Sequence, residues 1–431
     1  MTHTMRTLPC LLAVTILLLS AGTVHADAPE VTLGKHHEML IDGKLFLPVH
    51  AWAVADKDLD RLKAMGVNVA LLCGDAGMGW HNIDANMLAR VKLWLGRVHQ
   101  RGMYAGLTVS AWWASPQRRG TLAGKGVEAY IEKFKDHPAL LLWQISVEED
   151  MGIGKKKLQA EGVNEWRPRP NATAKDLAER YRVVKKADPK HPVLVMYSGG
   201  QMLAADRKFG WTLPTPEKFY YETAKHADIL YHDLFPVANN TANDLKQIAD
   251  ATKLLVKYTR GRKHLWVAVD AGDRKRWTTK SHAPTGEEIR CELWQAIVHG
   301  AHGLGFDYTG FNPWASIRMS ADGEKGLTAA VKQIEQLKAP ILLGRVEHAL
   351  QVTSAGDGKV DATLRRHGGK TYIFAVNVEA KPCEATIKPL EPKLTAGKAK
   401  VLGEDRTVDI NGGKIKDRFD ARAVHLYEIA E

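Results

Sequence analysis

Residues 137–150 read HPALLLWQISVEED, an apolar run that ends in three consecutive carboxylates, Glu148, Glu149 and Asp150. Carboxylates crowded together resist ionisation, and a partly dry setting adds to the effect, so clustered acid closing an apolar segment has the makings of acid/base chemistry. Taken as a strand over 139–147, the run alternates, with Trp143, Ile145 and Val147 on one face and Gln144, Ser146 and Glu148 on the other. If the apolar face packs on helices, the polar face looks into a wetter space with Glu148 at its edge. The plain alternative is a strand that ends in a solvated acidic turn.

The elements around this run alternate. Strand-like segments at 45–52, 68–74, 103–110, 139–147, 191–197, 227–237, 264–271 and 301–308 are each followed by a segment with helical spacing. Leu59, Leu62 and Met65 carry the first such stripe, and Leu88, Val91, Leu95 and Val98 the second. Helices are expected further at 127–136, 174–187, 216–224, 242–258, 287–299 and 325–343. Eight strand and helix pairs in about 300 residues are the tally of an α/β (β/α)8 barrel. A doubly wound open sheet is the competitor, but the Gly-rich phosphate turn expected after its first strand is missing. Beyond residue 344 the rhythm becomes short alternating runs, at 360–366, 371–378, 384–387 and 423–429, between Gly and Asp turns, as in a small antiparallel β-sandwich.

Residues 1–26 stand apart. Arg6 precedes an apolar run over 11–19, and Val24, His25 and Ala26 supply a cleavage site, which is the pattern of an export signal. The expected division is therefore a signal peptide over 1–26, a barrel over 27–343 and a sandwich over 344–431, with the mature chain secreted or periplasmic. No later stretch has the roughly 20 apolar residues of a membrane span. Cleavage leaves Cys73, Cys291 and Cys383, an odd, scattered set that offers no disulfide framework and reads as buried thiols. The net charge of +11 fits steering of an acidic polysaccharide or simply solvated basic faces, and nothing resembles a nucleic-acid-binding module.

In a barrel of this kind the active site lies where strands end and loops leave. The residues falling there are His50 and Trp52; Asp75, Trp80 and His81; Ser110, Trp112 and Trp113; Glu148 and Glu149; Tyr197; His232 and Asp233; Asp270, Asp273 and Trp277; then Asp307, Tyr308 and Trp314. Of 12 Trp, six (Trp52, Trp80, Trp112, Trp113, Trp277 and Trp314) occupy strand-end positions. Indole faces stack on the apolar faces of sugars while carboxylates bind hydroxyls and catalyse, so the mixture suits a glycan. Other chemistries lack their patterns. There is no His-Glu-x-x-His or Cys/His cluster for a metal, no cofactor fingerprint, and YSGG at 197–200 is not a nucleophile elbow. His50 and His232 read as hydrogen-bonding residues.

The motifs DGKLFLPVHAWA, DLDRLKAMGVNVALL, HPALLLWQISVEED, ADILYHDLFPV and TGEEIRCELWQAIVHGAHGLGFDYTG together make residues 38–345 resemble the (β/α)8 glycoside hydrolases of the large retaining clan, in particular bacterial members related to glycoside hydrolase family 42 and cellulase-like families. The resemblance implies an acid/base glutamate at the end of strand four, in a Trp-x-x-x-x-Glu pattern that Trp143 and Glu148 match. The family's Asn or Asp before that glutamate is Val147 here, and its following Pro is Glu149. The family's nucleophile, a glutamate ending strand seven, has Asp270 as its nearest counterpart, with Asp233 and Asp307 as alternatives. A shorter side chain at that place widens the gap between carboxyls, from the roughly 5 Å of retaining enzymes toward the roughly 6.5–9.5 Å of inverting ones. The expected activity is that of an exported glycosidase with Glu148 as acid and Asp270 as partner. His50, Trp52, Trp112, Trp113, Glu149, Asp233, Asp307, Tyr308 and Trp314 would bind substrate. The alternatives are a carbohydrate-binding barrel that has lost its second carboxylate, and a uronate lyase using His or Tyr as base.

Overall fold

The computed structural model describes residues 28–73, 85–109, 125–151, 170–206, 215–237, 244–273, 282–308, 317–347, 350–391, 393–394 and 396–430. Three short strands, β1 (Val31–Leu33), β2 (Met39–Ile41) and β3 (Lys44–Phe46), form a small antiparallel sheet. Eight parallel strands then close into a barrel: β4 (Val49–Val54), β5 (Val69–Cys73), β6 (Tyr104–Thr108), β7 (Leu140–Gln144), β8 (Val193–Ser198), β9 (Ile229–Asp233), β10 (His264–Asp270) and β11 (Gly303–Asp307). β11 pairs back onto β4, so the (β/α)8 architecture expected from the alternation is the observed one.

The run expected as a single first strand is two. Pro48 has no amide hydrogen to give a ladder, and the chain breaks there into β3 and β4. β1 to β3 then serve as the barrel's floor: Met39 and Ile41 pack into its interior with Val69, Leu71, Leu142, Leu194, Met196, Ile229, Tyr231, Trp266 and Ala268. Burying each of the larger of these side chains is worth roughly 1.5–3 kcal/mol.

Helices cover the outside. Ala85–Gln100 turns Val91, Leu95 and Val98 inward, and Ala174–Ala187 starts at a capping box between Thr173 and Asp176. Gly286–Val298 has a second capping box, between Thr285 and Glu288. The helix expected over 325–343 is two, Ala321–Gln336 and Lys338–Leu343. A helix not anticipated, Gly199–Asp206, follows β8 directly. A Cβ at Gly199 would lie 2.7 Å from the carbonyl oxygen of Asp233, so only glycine lets this helix start so close to β9.

The C-terminal part is nine strands, β12 (Arg345–Glu347), β13 (Leu350–Gly356), β14 (Val360–His367), β15 (Lys370–Asn377), β16 (Cys383–Pro389), β17 (Gly397–Val401), β18 (Arg406–Asn411), β19 (Lys414–Phe419) and β20 (Val424–Ala430), in one antiparallel sheet of order β12-β14-β15-β20-β17-β18-β19-β16-β13. It wraps around its own core of Leu364, Ile373, Ala375, Ile387, Val401, Phe419 and Tyr427. Alternation along β15 (Lys370–Asn377) divides its labour. Ile373 and Ala375 enter that core, while Tyr372, Phe374 and Val376 join the core shared by the barrel and its helices. There Phe374 meets Trp294 of Gly286–Val298 with ring centroids 5.2 Å apart.

Candidate active site at the barrel mouth

β7 carries the acidic run to the mouth, and the three carboxylates separate. Trp143 faces outward, its indole donating to Asp188 at 2.8 Å, and Gln144 faces inward, donating to the carbonyl of Ser146 at 3.0 Å. Ser146 Oγ donates to the carbonyl of Met196 and accepts its amide, which locks this segment to β8 at the level of Tyr231. Val147 packs against the interior cluster rather than outward with Trp143, so the strict alternation ends before the acids begin.

Glu148 comes next, partly exposed, with φ +49. A glutamate in the left-handed region carries backbone strain of order 1–2 kcal/mol, and such strain persists where the surroundings fix it, commonly at functional sites. Glu149 turns the other way and pairs with Arg180, whose guanidinium also donates to the carbonyl of Ile145 at 2.9 Å. Asp150 is buried and accepts from the Ser198 amide at 3.0 Å and from Tyr220 Oη at 2.9 Å. Burial drives its pKa up to about 7 against the pull of those two donors, with Glu148 nearby adding to the rise. Glu149 and Asp150 therefore clamp the turn that presents Glu148.

Opposite stands Tyr231 on β9. Its phenol pKa is raised by burial and then by three carboxylates, Asp233, Glu148 and Asp307. The three carboxylates stand at the ends of β7, β9 and β11. Asp233 and Asp307 are 5% exposed each, at the inward-facing ends of their strands. Register fixes their heights: Asp233 lies opposite Ser198 and Ala268, and Asp307 opposite Asp270, two residues nearer the mouth. Glu148, two residues beyond the Ser146 anchor, reaches the level of Asp233.

Asp270 has other partners. Its Oδ2 accepts the Val237 amide at 2.8 Å, and its carboxylate lies in the field of Glu292, a fully buried residue of Gly286–Val298. Burial and then the charge of Asp270 push the Glu292 carboxyl well above its ordinary value. Tyr308 is buried, donating to the carbonyl of Ala53 at 3.2 Å and accepting from the Ala55 amide at 3.4 Å; Ala53, like Glu148, has positive φ, at +55. Tyr197 pairs with Thr223 and His232 with Thr252, both behind the strands.

His50 lies deep in the bore. It stacks on Trp266, with centroids 4.9 Å apart and planes at 23°, and meets Tyr231 edge-on at 4.9 Å. A Cβ at Gly305 would lie 2.0 Å from its ring, so the glycine of β11 makes its space. Burial lowers its pKa to about 3, which makes it a neutral packing ring. Trp52 packs partly buried against the same interior cluster. Asp75, Trp80, His81, Ser110, Trp112, Trp113, Trp277 and Trp314 lie outside the described residues, as do residues 152–169 after the acidic turn. Tyr231, at the centre of the carboxylates, was not singled out from sequence, although its place two residues before Asp233 on an inward face was the available signal.

No protein-family model matches this chain, and no curated protein matches it. Solved structures do. An α-amylase from Geobacillus thermoleovorans complexed with acarbose superposes with a TM-score of 0.53 at 10% identity, over 89% of this chain and 98% of that one. An Anoxybacillus α-amylase gives 0.54 at 14%, over 87% and 89%. A glycoside hydrolase family 5 protein from Bacteroides vulgatus gives 0.52 at 12%, over 93% of both chains. The chain thus has the fold of the (β/α)8 glycoside hydrolases, C-terminal sheet included.

Proposed function

We propose that the protein is an exported glycoside hydrolase that cleaves an O-glycosidic bond at the barrel mouth, with Glu148 as proton donor and Asp233 as the second carboxylate. The observation that carries this reading is the register that brings Glu148 and Asp233 to one level on strands one apart, with Asp307 two residues nearer the mouth and Glu148 held at φ +49. β7 and β9 are separated by one strand, so their backbones are about 10 Å apart, and inward side chains shorten that gap. The result falls near the roughly 6.5–9.5 Å that admits a water between acid and base, which favours inversion at the anomeric carbon.

In this mechanism Glu148, protonated, gives its proton to the leaving glycosidic oxygen. Asp233 takes a proton from a water attacking the opposite face of the sugar, and Asp307 accepts hydrogen bonds from ring hydroxyls. Asp233 is preferred to Asp270, whose Oδ2 accepts the Val237 amide. The test is turnover on neutral and acidic oligosaccharides, with the product anomer read by NMR. E148Q and D233N are each expected to lose 10²–10⁴-fold in kcat while retaining binding. Turnover undiminished in E148Q would overturn the assignment, and glycan binding without turnover by the unaltered protein would favour a carbohydrate-binding barrel. Export is tested separately by sequencing the N-terminus of the mature chain, expected near Asp27.

A further inference from the structure

A cavity of about 950 Å3 lies at the other end of the barrel, between the N-terminal ends of β9 to β11, the β1–β2 turn and the C-terminal sheet. Its described lining carries six cationic side chains, Lys35, Lys253, Lys257, Arg260, Lys263 and Arg365, and no Asp or Glu. Some of this charge is used locally. Lys253 pairs with Asp361 at 2.7 Å, Arg260 sits over the Tyr221 ring at 4.6 Å, and Lys263 donates to the carbonyl of Ala227 at 2.6 Å.

Arg365 is different. It is only 8% exposed, its Nε is buried without an acceptor, and among the described residues no carboxylate pairs with its guanidinium. Burial without a counter-charge lowers its pKa to about 10, yet it stays charged at physiological pH. A guanidinium buried without a counter-charge is costly unless something neutralises it. Its neighbour His302, kept neutral by burial among other basic groups, offers no negative charge. The floor beside it is apolar, from Leu230, Leu265, Ile341 and Leu342, so the field of the cations is focused rather than screened.

We infer that this cavity is a binding site for a small oxyanion-bearing ligand, with Arg365 as its fork-shaped anchor and Lys35 and Lys257 as charged flanks. A planar guanidinium presents paired donors that match the two oxygens of a carboxylate, sulfate or phosphate group. The site is independent of the barrel mouth, since the residues of the two share no side chain. The ligand chemistry can come from a free or esterified phosphate or sulfate, or from the carboxylates of an acidic sugar.

Calorimetric titration of the full chain with inorganic phosphate, sodium sulfate and trigalacturonate distinguishes these sources. Saturable binding of any of them, weakened about tenfold in R365Q and severalfold in the K35A/K257A double variant, is expected. Tighter binding of trigalacturonate identifies an acidic sugar, and tighter binding of phosphate or sulfate a tetrahedral oxyanion. The double variant keeps the core intact, so it tests the site even if R365Q folds poorly. Absence of saturable binding at millimolar ligand, or binding that neither variant weakens, would overturn the inference. Glycan turnover at the mouth is expected to be unchanged in the double variant.

Discussion

At the scale of single residues, three adjacent acids have three different tasks. Glu149 answers Arg180, Asp150 answers Ser198 and Tyr220, and only Glu148 faces the carboxylates around Tyr231. The positive φ of Glu148 makes a specific expectation. Glycine tolerates that backbone without a steric penalty but loses more freedom on folding, and the two effects nearly cancel. E148G is therefore expected to be inactive yet within about 1 kcal/mol of the unaltered protein in urea unfolding; a loss well beyond 2 kcal/mol would show that the side chain supports the fold. Asp150 makes another. An unfolded aspartate loses its proton near pH 4, whereas the folded one holds it to about 7, so the folded state binds the extra proton between these values. Stability attributable to this group is highest below pH 4 and is lost as pH rises to 7. D150N removes the titrating group and should flatten the fall in urea midpoint across that window.

Alternation and turn chemistry made much of this legible in the sequence: the strand order, the acidic end of strand four, and the inward set Asp233 and Asp307. The partners of Asp270 were not: it shares the parity of Trp266 and Ala268, but that its Oδ2 accepts the Val237 amide and that Glu292 lies in its field leave no mark in local spacing. Tyr308 was hidden for the same reason, since its hydroxyl serves backbone groups of a strand more than 250 residues earlier in the chain.

At the scale of elements, the helix Gly286–Val298 is the most heavily committed. It packs on β10, on the helix Ala321–Gln336 and on β15, and its buried face includes Cys291, Trp294 and Gln295. Trp294 fills the space between barrel and sheet against Phe374. W294A should cost about 3–5 kcal/mol, the usual range for removing a large aromatic from a closed core, and a loss below 1 kcal/mol would mean that the interface is loosely packed. The Thr285 cap is worth less: T285A is expected to lower stability by about 1 kcal/mol, read by the same unfolding measurement.

At the scale of the whole molecule, the barrel and the C-terminal sheet share one apolar core, in which Tyr372, Phe374, Val376, Val424 and Leu426 lie with the barrel's outer helices. Ion pairs cross the same boundary, among them Arg422 to Glu288 at 3.2 Å, Lys253 to Asp361 at 2.7 Å and Lys246 to Glu379 at 3.5 Å. Calorimetry should show a single unfolding transition, and a chain ending at residue 344 should be insoluble, because it would expose that aromatic face. Two resolved transitions would mean that the sheet is an independent unit.

The stack of His50 on Trp266, closed by Tyr231 and seated against Gly305, blocks the axis of the barrel beneath the carboxylates. Traffic at the mouth is therefore one-ended. On the proposed function, a sugar bound at the mouth would leave by the side it arrived from, because the ring stack closes the bore beneath it. A cork fitted to that single opening would stop arrival and departure together, while leaving the basic cavity at the far end open.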